Sequence, residues 1–326
     1  MFSILSPFPP SSPFNSPSLV YTIRSSPLKF LVSHVYRLVL FLRGPSFRPP
    51  QPPQRIRLVC ISDTHSHKPS FIPRGDVLIH AGDLTNLGTV DEIQEHVDWL
   101  NSLDYKEKIV IAGNHDSWCD PRSSRKEDDG KEVNWGNLHY LQHSSVTLAF
   151  PQHGHRQLNF YGAPQIPACG GDDFAFQYKR HEDAWSSTIP RSTDILITHT
   201  PPSHHLDLPI GLGCEHLLRE IWRVRPKVHI FGHIHAGYGR ETVFWDEGQK
   251  AYETVCARGD TGILKDMIDV AAWIDAVRVV WHGLLGILWS RVWGEDGSAG
   301  LLVNAALAYQ GTDTGRLGNK PQVVEI

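Results

Sequence analysis

Seven side chains in this sequence could share one kind of work. Asp63, His65, Asp83, Asn114, His199, His233 and His235 offer carboxylate, amide and imidazole donors and no thiolate. Such hard and borderline ligands suit Mn, Fe, Zn or similar divalent ions and disfavour a soft copper site. Singly, each has an ordinary explanation. An Asp-x-His at a strand end is commonly a turn or a helix cap, and Gly-Asp after a strand is common loop chemistry. Their shared position carries more weight, because each follows a short apolar run closely.

Those runs are Ile56-Arg57-Leu58-Val59-Cys60-Ile61, Val77-Leu78-Ile79-His80, Ile109-Val110-Ile111, Ile195-Leu196-Ile197 and Val228-His229-Ile230-Phe231. Short β-branched runs of this kind predict five buried strands. His80 and His229 lie within them and read as buried, hydrogen-bonded residues. Helical spacing of apolar residues predicts helices over 90–103 (Ile93, Val97, Trp99, Leu100, Leu103) and 214–224 (Leu217, Leu218, Ile221, Trp222). Strand–helix alternation implies an α/β sheet, and open α/β sheets place their sites at the carboxyl ends of strands. The seven residues fall there.

Composition bounds what such a site could serve. The 326 residues are 40% hydrophobic and 20% charged, as in an ordinary globular chain. Residues 1–62 contain seven basic residues and no acidic one, leaving 24 basic and 35 acidic residues in the remainder. An acidic body lacks the basic surface that nucleic acid demands. The five cysteines are odd in number, scattered and lack CxxC spacing, which argues against a disulfide scaffold or a thiolate zinc site and favours a reducing compartment, the cytoplasm foremost. No stretch reaches 18 uninterrupted apolar residues, which argues against a conventional membrane-spanning helix.

The signatures D-x-H, GD, GNHD, a strand-terminal His and GHxH occur in that order, within ISDTHS, GDVLIHAGDLTNLGTVDEI, KIVIAGNHD, DILITHTPP and HIFGHIHAGYG. In this the chain resembles the calcineurin-like metallophosphoesterases, most of all their metallophosphoesterase-domain-containing subgroup. The resemblance covers 57–239 and resumes at 300–306 and 321–326. It implies a four-layer αββα sandwich, two facing mixed sheets flanked by helices. It also implies two divalent ions, Mn foremost: one held by Asp63, His65, Asp83 and His235, the other by Asp83, Asn114, His199 and His233. Asp83 would bridge them, and a hydroxide between the ions would attack phosphorus in line. His115 would contact the phosphate or protonate the leaving oxygen, with Asp116 orienting it.

Departures from the pattern narrow the reaction. Serine/threonine protein phosphatases carry an Arg within GD-x-x-D-R-G and a Glu after GNH, where this chain reads Gly82-Asp83-Leu84-Thr85-Asn86-Leu87-Gly88 and Gly113-Asn114-His115-Asp116. Without that clamp on a phosphoryl oxygen, a protein phosphatase is not expected; the resemblance to the metallophosphoesterase-domain-containing subgroup implies instead a phosphodiesterase acting on a small molecule, a nucleotide among the candidates. A phosphomonoesterase and a non-catalytic nucleotide-binding scaffold are the alternatives. Residues 170–185 (with Phe174, Phe176 and Tyr178) and the turn Pro201-Pro202-Ser203-His204-His205 could wall a pocket or pack as plain surface loops.

Two segments stand apart. Residues 1–54, rich in Pro and Ser, read as a disordered basic extension and share their composition with organellar transit peptides. Within them, 30–42 is an apolar island too short to span a bilayer, with Arg37 in its middle. Residues 55–326 read as one domain with a Trp-rich helical insertion at about 257–297. There Val270, Trp273, Ile274, Val277, Trp281, Leu284, Leu285 and Leu288 recur at helical spacing opposite Asp275, Arg278 and His282. Trp289 and Trp293 extend the pattern. An apolar stripe of this kind packs on protein or lies on a membrane, and 30–42 would assist the second role over 263–293.

Overall fold

The computed structural model describes residues 6–10, 17–45, 49–171, 173–208, 211–259, 262–292, 299–309 and 316–326. Trp293 and the end of the expected insertion, 293–297, lie outside them. The chain divides into two compact units. A sheet unit comprises Pro49–Asp207, Leu212–Glu241 and Leu302–Ile326, and a helical unit comprises Met1–Arg48, Leu208–Gly211 and Thr242–Leu301.

All five expected strands form. In the first sheet β1 (Arg57–Ile61), β2 (Val77–Ala81), β3 (Glu107–Ile111) and the short β4 (His139–Tyr140) run parallel. The second sheet contains β5 (Ser144–Phe150), β6 (Arg156–Ala163), β9 (Ile195–Thr198), β10 (Val228–Phe231), β11 (Gly239–Phe244) and β12 (Ala299–Asn304), in the order β11-β12-β10-β9-β6-β5. There β5 is antiparallel to β6, while β6, β9 and β10 are parallel. Two-residue strands β7 (Ile166–Pro167) and β8 (Gln177–Tyr178) pair with each other. Last in the chain, β13 (Gln322–Glu325) adds to β1 antiparallel and closes the edge of the first sheet.

The strands are buried on both sides, as their unbroken apolar runs require. Helix α3 (Val90–Ser102) lays Ile93, Val97 and Leu100 onto Val59, Ile61, Leu78 and Val110 of the first sheet. Thr89 caps it, accepting from the Glu92 N–H. Helix α4 (Glu215–Val224) buries Leu217, Leu218 and Ile221. Mixed sheets flanked by helices make this the expected α/β sandwich.

The helical unit departs from expectation in two ways and bears on a third point left open. First, the segment read as disordered carries α1 (Leu19–Ser25) and α2 (Pro27–Arg43). Ser26 caps α2, Pro27 opens it, and Gly44 ends it with a left-handed turn whose N–H reaches the Leu40 carbonyl. The tail's average composition hid these local signals. Second, the helices after β11 begin earlier than expected, with α5 (Glu247–Ala257) before α6 (Gly262–Ile268) and α7 (Val270–Val292). Leu28, Val32 and Tyr36 of α2 join Ala251, Tyr252 and Val255 of α5 and Ala272 and Val279 of α7 in one core. The Tyr36 and Tyr252 rings stack 4.0 Å apart.

Third, α7 does not pack its apolar stripe within the chain, one of the two placements left open for it. Its buried residues are Ala272, Asp275, Val279 and Gly283, whereas Trp273, Ile274, Val277, Trp281, Leu284, Leu285 and Leu288 are exposed. Two specific contacts set this orientation. Arg258 reaches Asp275 at 2.9 Å and Asp269 at 3.0 Å, so the polar stripe has its partner inside the unit. Gly283 lets α2 approach, because a side chain there would meet Val39.

Candidate metal centre

Loops after five strands of the sheet unit deliver the nine residues singled out above. Asp63 and His65 follow β1, Asp83 follows β2, and Asn114, His115 and Asp116 follow β3. His199 follows β9, and His233 and His235 follow β10. Four of them, Asp63, His65, Asp83 and His233, hold positive φ values of 46–65°. Non-glycine residues seldom adopt that region, and such strain survives where surrounding structure fixes it, typically at functional sites. Gly113 is required beside them, since a side chain there would overlap the Asp83 carboxylate.

The donor atoms converge in two groups. In the first, His235 Nε2 lies 3.2 Å from Asp63 Oδ1 and 3.3 Å from His65 Nε2. In the second, His199 Nε2 lies 3.3 Å from Asp83 Oδ2 and 3.1 Å from Asn114 Oδ1, with His233 completing an Asp83–His199–His233 cluster. His65 Nε2 and Asp83 Oδ2, 3.9 Å apart, link the two groups. Ligand atoms about 2 Å from a shared centre stand roughly 3 Å from one another, which is the spacing found here.

A cation fits this arrangement. His199 donates from Nδ1 to the Ala81 carbonyl at 2.9 Å, so in the neutral ring Nε2 is a bare acceptor. It then faces the acceptor oxygens of Asp83 and Asn114 in a buried space, and only a proton or a metal ion can satisfy all three. Burial alone would lower the His199 pKa, yet the Asp83 charge and hydrogen bond prevail and raise it to about 9. A divalent ion would take the place of that proton. Burial pushes His65 down to about 4 and His233 to about 3, the neutral form a ligand needs. At Asp63 burial favours the acid, but the hydrogen bond and charge of His235 hold the pKa down at about 2. The Nδ1 atom of His65 has no hydrogen-bond partner.

The expected link between Asp116 and His115 does not form. The Asp116 carboxylate accepts instead from Gly113 N–H (2.8 Å), Leu84 N–H (3.2 Å), Thr85 N–H (3.0 Å) and the Thr85 hydroxyl (2.7 Å). It braces two ligand loops against each other. Burial, with the Asp83 charge behind it, raises its pKa to about 6. His115 takes its orientation from the Asn86 carbonyl, 2.9 Å from Nδ1, which leaves Nε2 available. That carbonyl is held in turn by Glu92, whose carboxylate accepts from the N–H groups of Asn86, Leu87 and Gly88.

Glu92 was invisible as a site-building residue in the sequence, where it reads as the acidic first turn of a helix. So was the clamp on Thr64, whose hydroxyl lies 2.8 Å from His80 Nε2 and 3.0 Å from His96 Nε2. His229 is likewise buried, 2.8 Å from the Thr198 hydroxyl. Of the segment weighed as a pocket wall, Phe174 lies against the site, its ring 4.8 Å from that of His115 and tilted 48° to it. Phe176 and Trp185 belong to the core, and His205 pairs with Glu241 at 3.0 Å.

Residues 56–237 match the model of the calcineurin-like phosphoesterase family. Metallophosphoesterase domain-containing protein 1 of Homo sapiens is 41% identical over 217 residues, 58% of this chain and 64% of that protein. UPF0046 protein C25E10.12 of Caenorhabditis elegans is 36% identical over 202 residues, 58% of this chain and 72% of that protein. A probable rhamnogalacturonate lyase C of Emericella nidulans is 41% identical over 254 residues, 77% of this chain but 23% of that protein. The chain thus spans under a quarter of the Emericella protein and just under two thirds of the human one. From the family match and the donor groups at five strand ends, the chain belongs to the calcineurin-like phosphoesterases.

Proposed function

We propose that the chain hydrolyses a small phosphoric diester with two divalent metal ions, Mn²⁺ first among them. The observation that carries this reading is the pair of donor groups meeting at Asp83. When bound, the ions would supply Lewis acidity to the phosphoryl oxygens and activate water for attack at phosphorus. Asp83 Oδ2 faces both His65 and His199, while Asp83 Oδ1 accepts from the His115 backbone N–H at 2.9 Å and so anchors that loop. His115 Nε2 is the atom able to give a proton to the leaving oxygen. Phe174, its ring 4.8 Å from that of His115, is an aromatic neighbour that would suit a planar group such as a nucleobase.

Charge favours a diester over a monoester. Among the described residues, no Lys or Arg hydrogen-bonds any of the nine site residues, so a dianionic monoester would lack the usual clamp. A singly charged diester needs less. The test is turnover of bis-p-nitrophenyl phosphate beside p-nitrophenyl phosphate by the full chain with Mn²⁺, with Asp83→Asn as control. Diester turnover lost in the control is the expected result. Monoester preference would overturn the diester reading, and metal binding without turnover of either would return the chain to a binding role.

A further inference from the structure

Outside the metal centre, the least ordinary surface belongs to the helical unit. Among the described residues, every large apolar side chain that is exposed belongs to this unit, except Phe71, Leu87 and Tyr309. Phe41 of α2 is 80% exposed, Leu264 of α6 is 81% exposed and Trp281 of α7 is 61% exposed. Soluble proteins scatter such residues singly, and so many gathered on the packed helices of one unit mark an interaction surface. By length and composition α7 could cross a bilayer, its 23 residues rising about 34 Å.

Charge identifies what would cover this face. Each helix that carries exposed apolar residues also carries an exposed cation: Arg24 on α1, Arg37 on α2, Lys265 on α6 and Arg291 on α7. None of the four has a carboxylate partner among the described residues. Among the described residues, the unit's acids are buried or already paired, exposed Glu247 with Arg278 at 3.3 Å. Asp246 holds Arg43 at 2.5 Å, Asp269 and Asp275 hold Arg258, and buried Asp266 accepts from the Ser26 hydroxyl and the Leu28 N–H. A second copy seated here would bring like charges together without acids to meet them. An anionic lipid headgroup layer meets all four, while tryptophans along α7 suit the boundary between headgroup and acyl chain.

We propose that this face of α2, α6 and α7 docks on an anionic phospholipid bilayer, with the helical unit lying in the interface and not crossing it. Crossing is opposed by the inner side of α7, where Asp275 is buried in its ion pair with Arg258 and α5 buries Gln249 and Glu253. Those groups would enter hydrocarbon in a spanning helix, whereas an interfacial one keeps them on the protein side. The inference is independent of the reaction at the metal centre.

The test is co-sedimentation of the full chain with vesicles of phosphatidylcholine alone and of phosphatidylcholine with phosphatidylserine, with tryptophan emission read in parallel. Binding to the mixed vesicles with a blue shift is expected, weakened by salt and reversed by alkaline extraction. Combining Val277→Asp, Trp281→Asp and Leu288→Asp should lower binding at least tenfold, about 1.4 kcal/mol, with circular dichroism and phosphoester turnover intact. Changing Arg24, Arg37, Lys265 or Arg291 to Gln should weaken binding to the mixed vesicles about fivefold each. Full binding by the triple variant would overturn the proposal. So would resistance to alkaline extraction, or a dimer that the triple variant dissociates while vesicles bind neither form.

Discussion

In the sheet unit the polar groups are inside, and in the helical unit the large apolar groups are outside. Asp63, Asp83, Asn114 and His199 are buried among each other's acceptor atoms, while Trp281, Leu284 and Leu288 face out along the whole of α7. Either placement costs free energy in an isolated chain. Burying unpaired acceptors forfeits their hydration, and exposing apolar surface costs about 25 cal/mol per Å². The cost is spread differently, however. At the metal centre it falls on a few strained, rigidly held residues that a small cation can satisfy. On the helical unit it falls on an extended face that only another surface can cover.

The largest predicted effect tests the first half of that contrast. Asp63→Asn should lower phosphoester turnover at least about 10³-fold, because metal participation contributes several kcal/mol to the barrier. Vesicle binding should stay unchanged. Turnover within tenfold of the parent would remove Asp63 from the site.

Next comes Asp116, which touches neither His115 nor, among the described contacts, any donor group of the cluster. As an acceptor for three N–H groups and a hydroxyl, it cannot be replaced by an amide without turning a donor toward donors. Asp116→Asn should cost about 1–3 kcal/mol in thermal unfolding and lower metal affinity about 10–100-fold. Unchanged stability would show that the brace between the Asp83 and Asn114 loops is dispensable.

The sequence displays the ligands better than the supports. Asp63, His65, Asp83 and the histidines were legible because each follows a strand whose apolar run fixes where the loop emerges. Asp116 was legible as a site residue but not in its role, since its partners Leu84 and Thr85 lie across a strand pairing that spacing does not reveal. Glu92 matters through the Asn86 carbonyl that the same pairing brings to His115, and the Thr64 clamp rests on the neighbouring pairing of β1 with β2. On α7 the periodicity correctly separated apolar from polar faces, but periodicity has no sign. The direction came from Arg258, outside the helix, and from Gly283. In 1–54 the composition concealed a helix whose Ser26, Pro27 and Gly44 mark both of its ends.

Acid should expose the contrast in a third way. Burial pushes the pKa of His80 and of His229 down to about 3 from 6.5. Each is bound as neutral imidazole in the fold, so its contribution is present above pH 6.5 and is lost as pH falls toward 3. At pH 5 the loss is about 2 kcal/mol for each ring. The melting temperature should therefore fall below pH 6.5, and His229→Gln, which can still bond Thr198, should flatten that fall. A curve unaltered by His229→Gln would mean that the acid sensitivity arises elsewhere.

The smallest effects come from two neighbours on α7. Gly283 is buried against Val39, with no room for a side chain, while Leu284, the next residue, is 57% exposed. Gly283→Leu should cost about 1–3 kcal/mol by overpacking the contact with α2. Leu284→Gln should change stability by less than about 0.5 kcal/mol, because that side chain is already in water. Thermal unfolding of both variants without lipid decides the point. Similar losses would mean that Leu284 packs within the unit, and the apolar face would no longer need an outside partner. A large loss at Gly283 with none at Leu284 leaves that face contributing nothing to the fold it is part of, as a surface kept for something else would.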